Sequence, residues 1–388
     1  VSAAPSDATP RDRDGLRAWL ARTPRPTGAE LAAAGLVAPH WPPPWGWSAT
    51  VDERLVVEEE LTAAGVTLPD NPIGIGWAGP TLLAAGTEEQ RRRYLPGILD
   101  GSEVWCQLFS EPDAGSDLAS LTTRAVRDGD RWVVTGAKVW TTSADVATYG
   151  ILLARTDPEA ARHRGISYFV CPMDAPGIEV RPIREMSGGH HFCEVFLDGV
   201  ELDAAALVGA EGDGWRLARI TLANERTSLS SGGLLWGMGP TGREVLAVLA
   251  RRGLADPVLR QRWARLHSEA VVLELLGRRV LEQVRGGAAP GPEASLQKLL
   301  ADEHAQRLLD LLCDAAGPAG LLASPSPWPL PLAGEAPPRG AGLGATHQGA
   351  WPWSLLFSRA LTVGGGTTEV QRNILAEQVL GLPREPVR

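Results

Sequence analysis

The feature that most constrains this chain is a change of hydrophobic period near residue 104 and a change back near residue 206. From Asp14 to about Gly101, apolar residues recur at helical spacing: Leu16, Trp19 and Leu20, then Leu31 and Leu36, then Leu55, Val56 and Leu61 behind Asp52 as N-cap. The turn-rich Trp41-Pro-Pro-Pro-Trp-Gly-Trp run interrupts them, and Glu88 to Leu95 reads as a polar helix ending near Pro96-Gly97. The period then becomes two, with β runs near 131–142, 149–155, 166–171, 177–183 and 192–197. Helical patterns resume at 214–236, 241–252, 257–285, 293–316 and 351–381. This order predicts an α+β fold: a disordered tail (1–13), an N-terminal helical domain (14–103), a small antiparallel β-barrel or sandwich (104–205), and a C-terminal helical bundle (206–388) carrying a Pro/Gly-rich loop at 317–350.

Composition narrows the function classes. A chain of 388 residues can bury a substantial core, and its net charge of −9 argues against a nucleic-acid partner. The four cysteines show no CxxC or metal spacing, and the His190-His191 pair has no HExxH array beside it, so reduced thiols and no metal site are expected. No apolar run approaches a membrane span and no secretory leader is visible, which predicts a cytoplasmic protein. Of the 37 basic residues only Lys138 and Lys298 are lysines, a bias consistent with the Ala-, Gly- and Pro-rich composition.

The chemistry is expected in residues 104–143. Glu111-Pro112 followed by Gly115-Ser116-Asp117 makes an irregular loop rich in main-chain N–H groups, because Pro stiffens one end and Gly frees the other. A hairpin turning at Asp128-Gly129 leads into Gly136, Lys138, Trp140 and Thr142, and alternation puts Trp140 and Thr142 on one face. An aromatic and a hydroxyl opposite such a loop suit a flat heteroaromatic cofactor, a description that fits a flavin. Taken singly, Trp140 reads as a core aromatic and Ser116 as a helix cap.

Together the strings are more specific. Phe109-Ser110-Glu111-Pro112-Asp113-Ala114-Gly115-Ser116-Asp117 and Gly136-Ala137-Lys138-Val139-Trp140-Thr141-Thr142 resemble the two flavin-binding motifs of the acyl-CoA dehydrogenase family. The resemblance extends over nearly the whole chain from about residue 28, through Gly86-Thr87-Glu88-Glu89-Gln90, Glu194-Val195-Phe196-Leu197-Asp198-Gly199-Val200, Gly212-Asp213-Gly214-Trp215 and Gly366-Thr367-Thr368-Glu369-Val370-Gln371-Arg372-Asn373. It implies FAD contacts from Gln107, Phe109, Ser110, Gly115, Ser116, Trp140, Thr141, Thr142, Thr367 and Glu369, and acyl-CoA contacts from Ser116, Arg226 and Gly366. It also implies proton removal from Cα of an acyl thioester, hydride transfer from Cβ to flavin N5, and an electron-transfer flavoprotein as acceptor.

The reaction needs a carboxylate base. Many members carry it immediately before the C-terminal Gly-Thr, where this chain has Gly365. Isovaleryl- and long-chain acyl-CoA dehydrogenases carry it instead in a Glu-Arg on the first helix of the bundle, which Glu225-Arg226 resembles. Trp215, Ala218, Leu222, Glu225 and Leu229 share a helical stripe. Periodicity alone leaves two readings, a base or a carboxylate at the stripe's edge; the missing carboxylate at 365 selects the base. Gly365 keeps its N–H, the family's main-chain donor to the thioester oxygen.

Two family elements that grip the adenylate end of FAD are altered here, at 249–266 and 313–320. Such alterations resemble actinobacterial members that work as paired non-identical subunits. The expected assembly is therefore a homodimer or homotetramer, or a heterotetramer with a paralogous subunit acting on a bulky, sterol-like thioester. A flavin oxidase or monooxygenase on the same fold, or a non-catalytic partner subunit, are the competing readings.

Overall fold

The computed structural model describes residues 10–229, 233–236, 240–286, 291, 294–318 and 351–384. They fall into two compact units: one runs to Glu185 and includes His190–Asn224, the other combines Met186–Gly189 with the chain from Glu225 onward. Most of the expected N-terminal tail, and the Pro/Gly-rich loop beyond Pro318, lie outside the described residues.

In the first unit, five helices precede the sheet: α1 (Arg13–Arg22), α2 (Gly28–Ala33), α3 (Val51–Ala63), α4 (Gly79–Ala85) and α5 (Glu88–Asp100). The start of α3 is set by Thr50 rather than Asp52. The Thr50 hydroxyl accepts from Glu53 N at 3.3 Å while Glu53 Oε2 accepts from Thr50 N at 2.6 Å, a reciprocal capping box. Helix α5 runs through Pro96 to Asp100 instead of ending there, and stops at Gly101 in the left-handed region with φ 79°. The hydrogen bond that Pro96 cannot make would run to the carbonyl of Arg92, an exposed residue whose carbonyl water can serve.

The sheet has eight strands: β1 (Trp105–Leu108), β2 (Arg124–Asp128), β3 (Arg131–Thr142), β4 (Tyr149–Arg155), β5 (Ile166–Pro172), β6 (Ile178–Ile183), β7 (Phe192–Asp203) and β8 (Leu207–Val208). Their order is β6-β7-β3-β2-β4-β5-β8, with β1 on β4. Pairing is antiparallel as expected except at β1–β4 and β2–β4, which are parallel. Strands β4 and β5 are buried along nearly their full length, and the two-residue period divides them between two cores. Ile151, Leu153, Tyr168 and Val170 join the core that includes the N-terminal helices; Leu152, Ala154, Phe169 and Cys171 join the second core, formed within the sheet.

Helices and sheet are tied by polar groups as well as by packing. Gln90 Nε2 donates to Ala205 O and Leu207 O, both at 2.8 Å. Asn71, fully buried, donates to Ile98 O at 3.2 Å and Glu103 O at 2.8 Å and accepts from Gly74 N at 3.3 Å and Trp105 N at 3.1 Å. One amide thus satisfies four main-chain groups where the last helix hands over to β1.

Helix α6 (Gly214–Leu229) crosses the boundary between units, and α7 (Gly242–Arg252), α8 (Pro257–Arg285), α9 (Ala294–Ala315), α10 (Trp351–Phe357) and α11 (Thr368–Ile374) follow in the second. Two expected helices are shorter than their patterns. Helix α6 does not reach 236: residues 233–236 form turns and bridges, and the Ser and Gly residues at 230–233 are poor helix formers by type. The 351–381 pattern breaks into α10 and α11 because Gly365 and Gly366, at φ 64° and 88°, lie in the left-handed region.

Replacing Asn71 by Leu strands four buried main-chain groups, each worth about 1–3 kcal/mol. We expect a loss of at least about 3 kcal/mol in urea denaturation; a loss under about 1 kcal/mol refutes the role given to Asn71.

Candidate active site

The loop at 109–118 is built on a buried ion pair. Lys138, 1% exposed in the middle of β3, donates through Nζ to Glu111 Oε1 at 2.8 Å and to Phe109 O at 3.1 Å. The other Glu111 bonds are also filled: its carboxylate accepts from Thr122 N at 2.7 Å, Thr122 Oγ1 at 2.8 Å and Thr123 N at 2.9 Å. Burial pulls the Glu111 carboxyl up, but the Lys138 charge, its hydrogen bond and the Thr122 and Thr123 donors outweigh it and hold the group down at about 2. The pair fixes both ends of the motif against each other, and Val139 N adds a bond to Ser110 O at 2.9 Å.

Just beyond Lys138 the strand bulges. Pairing jumps from Lys138↔Val195 to Thr141↔Cys193, so Val139 and Trp140 face a single residue of β7. Strict alternation therefore fails at this point: Lys138 and Thr141 are buried, Thr142 is half-buried, and Trp140 is 59% exposed at φ 59°. A bulky residue held left-handed, with its indole uncovered apart from an edge contact to Phe192 at 6.0 Å, is a strained arrangement of the kind found at ligand sites. Beside it the Thr141 hydroxyl is buried without a hydrogen-bond partner among the described residues. A largely exposed aromatic and an orphaned hydroxyl beside a loop exposed at Gly115 and Ser116 fit a flat cofactor with ring-nitrogen and carbonyl groups, such as a flavin.

The remaining flavin candidates divide. Ser110 and Gln107 are half-buried, and Gly115 and Ser116 are exposed on the loop. The Phe109 ring is buried edge-on to Tyr168 at 6.0 Å, so only its main chain is available to a ligand. Gly115 is not left-handed and a side chain there would meet nothing, so the loop does not need its conformational freedom. Ser116 caps no helix; the short helical turn at Leu118–Ser120 begins after Asp117, which is paired to Arg162 instead.

In the second unit, Glu225 is 6% exposed on α6. Among the described side chains of that helix, which end at Arg226, the buried positions are Gly214, Leu217, Ala218, Thr221 and Glu225, a stripe shifted slightly from the expected one, since Trp215 and Leu222 are only half-buried; Leu229 of the expected stripe lies outside the described side chains. Arg226 is half-buried and Glu369 exposed. Thr367 caps α11, its hydroxyl accepting from Val370 N at 3.2 Å. The Gly365 and Gly366 N–H groups donate to no acceptor among the described residues, while their carbonyls accept from Gln371 Nε2 at 3.0 and 3.1 Å. Of the altered adenylate-end elements, 249–266 spans the end of α7 and the start of α8, and 313–318 ends α9; residues 319 and 320 lie outside the described residues. No group of three or more His, Cys, Asp or Glu side chains among the described residues could hold a metal.

Comparison with known proteins finds matches over most of the chain. Models of the N-terminal, middle and C-terminal domains of acyl-CoA dehydrogenases match residues 12–102, 106–200 and 212–380. This chain belongs to the acyl-CoA dehydrogenase family. It is accordingly an oxidoreductase of a flavoprotein family. It is 44% identical over 354 residues to acyl-CoA dehydrogenase FadE34 of Mycobacterium tuberculosis, covering 91% of this chain and 46% of that protein, so it spans about half of that relative's length. Among solved structures, the Tcur3481-Tcur3483 steroid ACAD is 32% identical with a TM-score of 0.76, covering 96% of this acyl-CoA dehydrogenase chain and 97% of the other. The ChsE4-ChsE5 complex from Mycobacterium tuberculosis matches at 32% identity and a TM-score of 0.75, with the same coverage.

The Glu111–Lys138 pair, missed as a site element by the sequence reasoning, gives a pH test. A carboxyl held below its ordinary 4.5 contributes stability that is present above that value and lost as pH falls toward 2. Lys138→Met reverses the sign, because an unpaired buried carboxylate has a raised pKa and loses stability as pH rises. The variant should fall about 3–5 kcal/mol below wild type at pH 7, with the gap narrowing toward pH 4 in denaturant titrations. A gap independent of pH would contradict this assignment.

Proposed function

We propose that this chain is the base-bearing subunit of a heteromeric, FAD-dependent acyl-CoA dehydrogenase that introduces an α,β double bond into a bulky acyl thioester, such as a sterol side-chain thioester. The observation that carries the reading is the Glu225 carboxylate, buried on the stripe of α6 otherwise formed by Gly214, Leu217, Ala218 and Thr221. The family's other position for a base holds a left-handed glycine, Gly365, so Glu225 has no rival there.

Glu225 takes the proton from Cα. The Gly365 N–H meets the charge that develops on the thioester oxygen, as an uncommitted main-chain donor can. FAD, when bound, would supply the hydride acceptor for Cβ and the route for electrons to an electron-transfer flavoprotein. Trp140, Thr141, Thr142 and the 109–116 loop would hold it, with Ser116 placed toward both flavin and acyl-CoA and Arg226 and Gly366 toward the substrate.

Support for a partner subunit comes from the altered adenylate-end elements and from the paired names of the steroid ACAD and ChsE4-ChsE5 structures. Support for a bulky substrate comes from the lack of any side chain at residue 365 itself, and from the steroid named for that relative. The homo-oligomeric alternative is separated by purifying the chain alone and with a paralogous partner, and measuring retained flavin.

Glu225→Gln should keep bound flavin while lowering turnover by about 10²- to 10⁴-fold, the usual contribution of a positioned base; undiminished turnover removes Glu225 from the mechanism. Substrate profiling should show kcat/KM for branched or ring-bearing thioesters at least about tenfold above that for butyryl-CoA, a margin of about 1.4 kcal/mol. A preference for short straight chains would overturn the bulky-substrate reading.

A further inference from the structure

We infer that Gln371 is a positioning residue for the thioester-oxygen donor: its side-chain amide locks the double-glycine turn that aims the Gly365 N–H. The inference rests on the function proposed above and extends it to a residue outside the reacting groups.

The turn is intrinsically loose. Two consecutive glycines in the left-handed region, at φ 64° and 88°, have many conformations to lose, and no side chain of their own restrains them. Gln371 supplies the restraint. It is 1% exposed on α11, and its Nε2 donates to both Gly365 O and Gly366 O, at 3.0 and 3.1 Å. Each peptide is planar and trans, so fixing a carbonyl fixes the next N–H in the opposite direction. Holding the carbonyls of Gly365 and Gly366 fixes the two peptide planes after residue 365, and with them φ and ψ of Gly366. On the other side Gly364 N is bonded to Ala360 O at 2.9 Å, so residue 365 must span two held points, which restricts where its N–H can aim. The fit is close: a Cβ on Gly366 would stand 2.7 Å from Gln371 Nε2.

Both flanks of the turn are anchored independently. Upstream, the buried Lys298 donates to Leu361 O at 3.2 Å while paired to Asp302 at 2.7 Å, and Gln306 Nε2 donates to Ser358 O at 2.9 Å. Downstream, Thr368 N donates to Thr362 O at 3.1 Å and Gln371 N to Thr367 O at 2.9 Å. Between these anchors, Gln371 is the one described side chain that hydrogen-bonds to the glycine carbonyls themselves. Its own Oε1 is buried with no partner among the described residues, so the side chain is held there by its donor end.

A purely structural glutamine would affect stability alone. A positioning glutamine affects how strongly the bound thioester carbonyl is polarised. The test uses the flavin-loaded enzyme, with its partner subunit if flavin retention requires one, and a 3-thia-acyl-CoA as probe. The α-proton of that probe is acidic enough to be removed without turnover, and the resulting anion gives a long-wavelength charge-transfer absorption. In Gln371→Met the pH midpoint of that band should rise by about one to two units, and kcat should fall about 10- to 100-fold with KM changed less than threefold. Gly366→Ala, which pushes the amide away from the other side, should reproduce the shift, and the double variant should be no worse than either single one. A Gln371→Met or Gly366→Ala enzyme with a lowered melting temperature but the wild-type band midpoint and kcat overturns the inference. A wild-type enzyme that retains flavin yet gives neither band nor thioester oxidation overturns the function on which it rests, a separate result.

Discussion

The first unit depends on a charge placed where charge is costly. Lys138 and Glu111 are both buried, and either one alone would be an uncompensated ion in the protein interior. Paired, with every Glu111 oxygen hydrogen-bonded and Nζ shared with Phe109 O, they clamp an irregular loop to the central strand. The loop has no regular ladder of its own beyond a single Glu111–Ala114 bridge. Its shape therefore follows from the pair, and so does the entry angle of the strand into the bulge at Val139-Trp140. A hydrophobic pair of equal volume could fill the space, but could not satisfy the Thr122 and Thr123 N–H groups or the Phe109 carbonyl.

The second unit solves a similar problem mainly with side-chain amides. Its glycine run gives up side chains, and with them the packing that would hold a backbone still. Side chains from neighbouring helices restore the order: the Gln371 amide on the glycines, and the Gln306 amide and the Lys298 ammonium on the residues before them. A carboxylate at residue 365 would have to adopt the left-handed region found there, at a cost that glycine avoids.

Much of this was legible in the chain. The strand spans at 131–142 and 149–155 coincide with the structure, because alternation persists wherever one face meets a core. Periodicity put Glu225 on an apolar stripe but left open a solvated place at its edge; the structure buries it. What escaped notice depends on partners distant in sequence. Asn71 reads as a loop polar residue until Ile98, Glu103 and Trp105 surround it. The Lys138–Glu111 pair is 27 residues apart and crosses from loop to strand. The bulge is invisible to a two-residue template, since it is defined by the register of β7. The break of the last helical pattern was announced by three glycines, which the apolar period outweighed on paper but not in the fold.

One compositional oddity takes on meaning here. Both lysines of the chain are buried, Lys138 at 1% and Lys298 at 0% exposure, each against a carboxylate, while the basic residues of the surface are arginines. A guanidinium cannot replace either ammonium without its larger planar head entering a closed space. Thioesters acylate free amines spontaneously, and on the function proposed above the chain would meet them at every turnover. With no lysine amine at its surface, it offers them no side-chain nucleophile of that kind to scar.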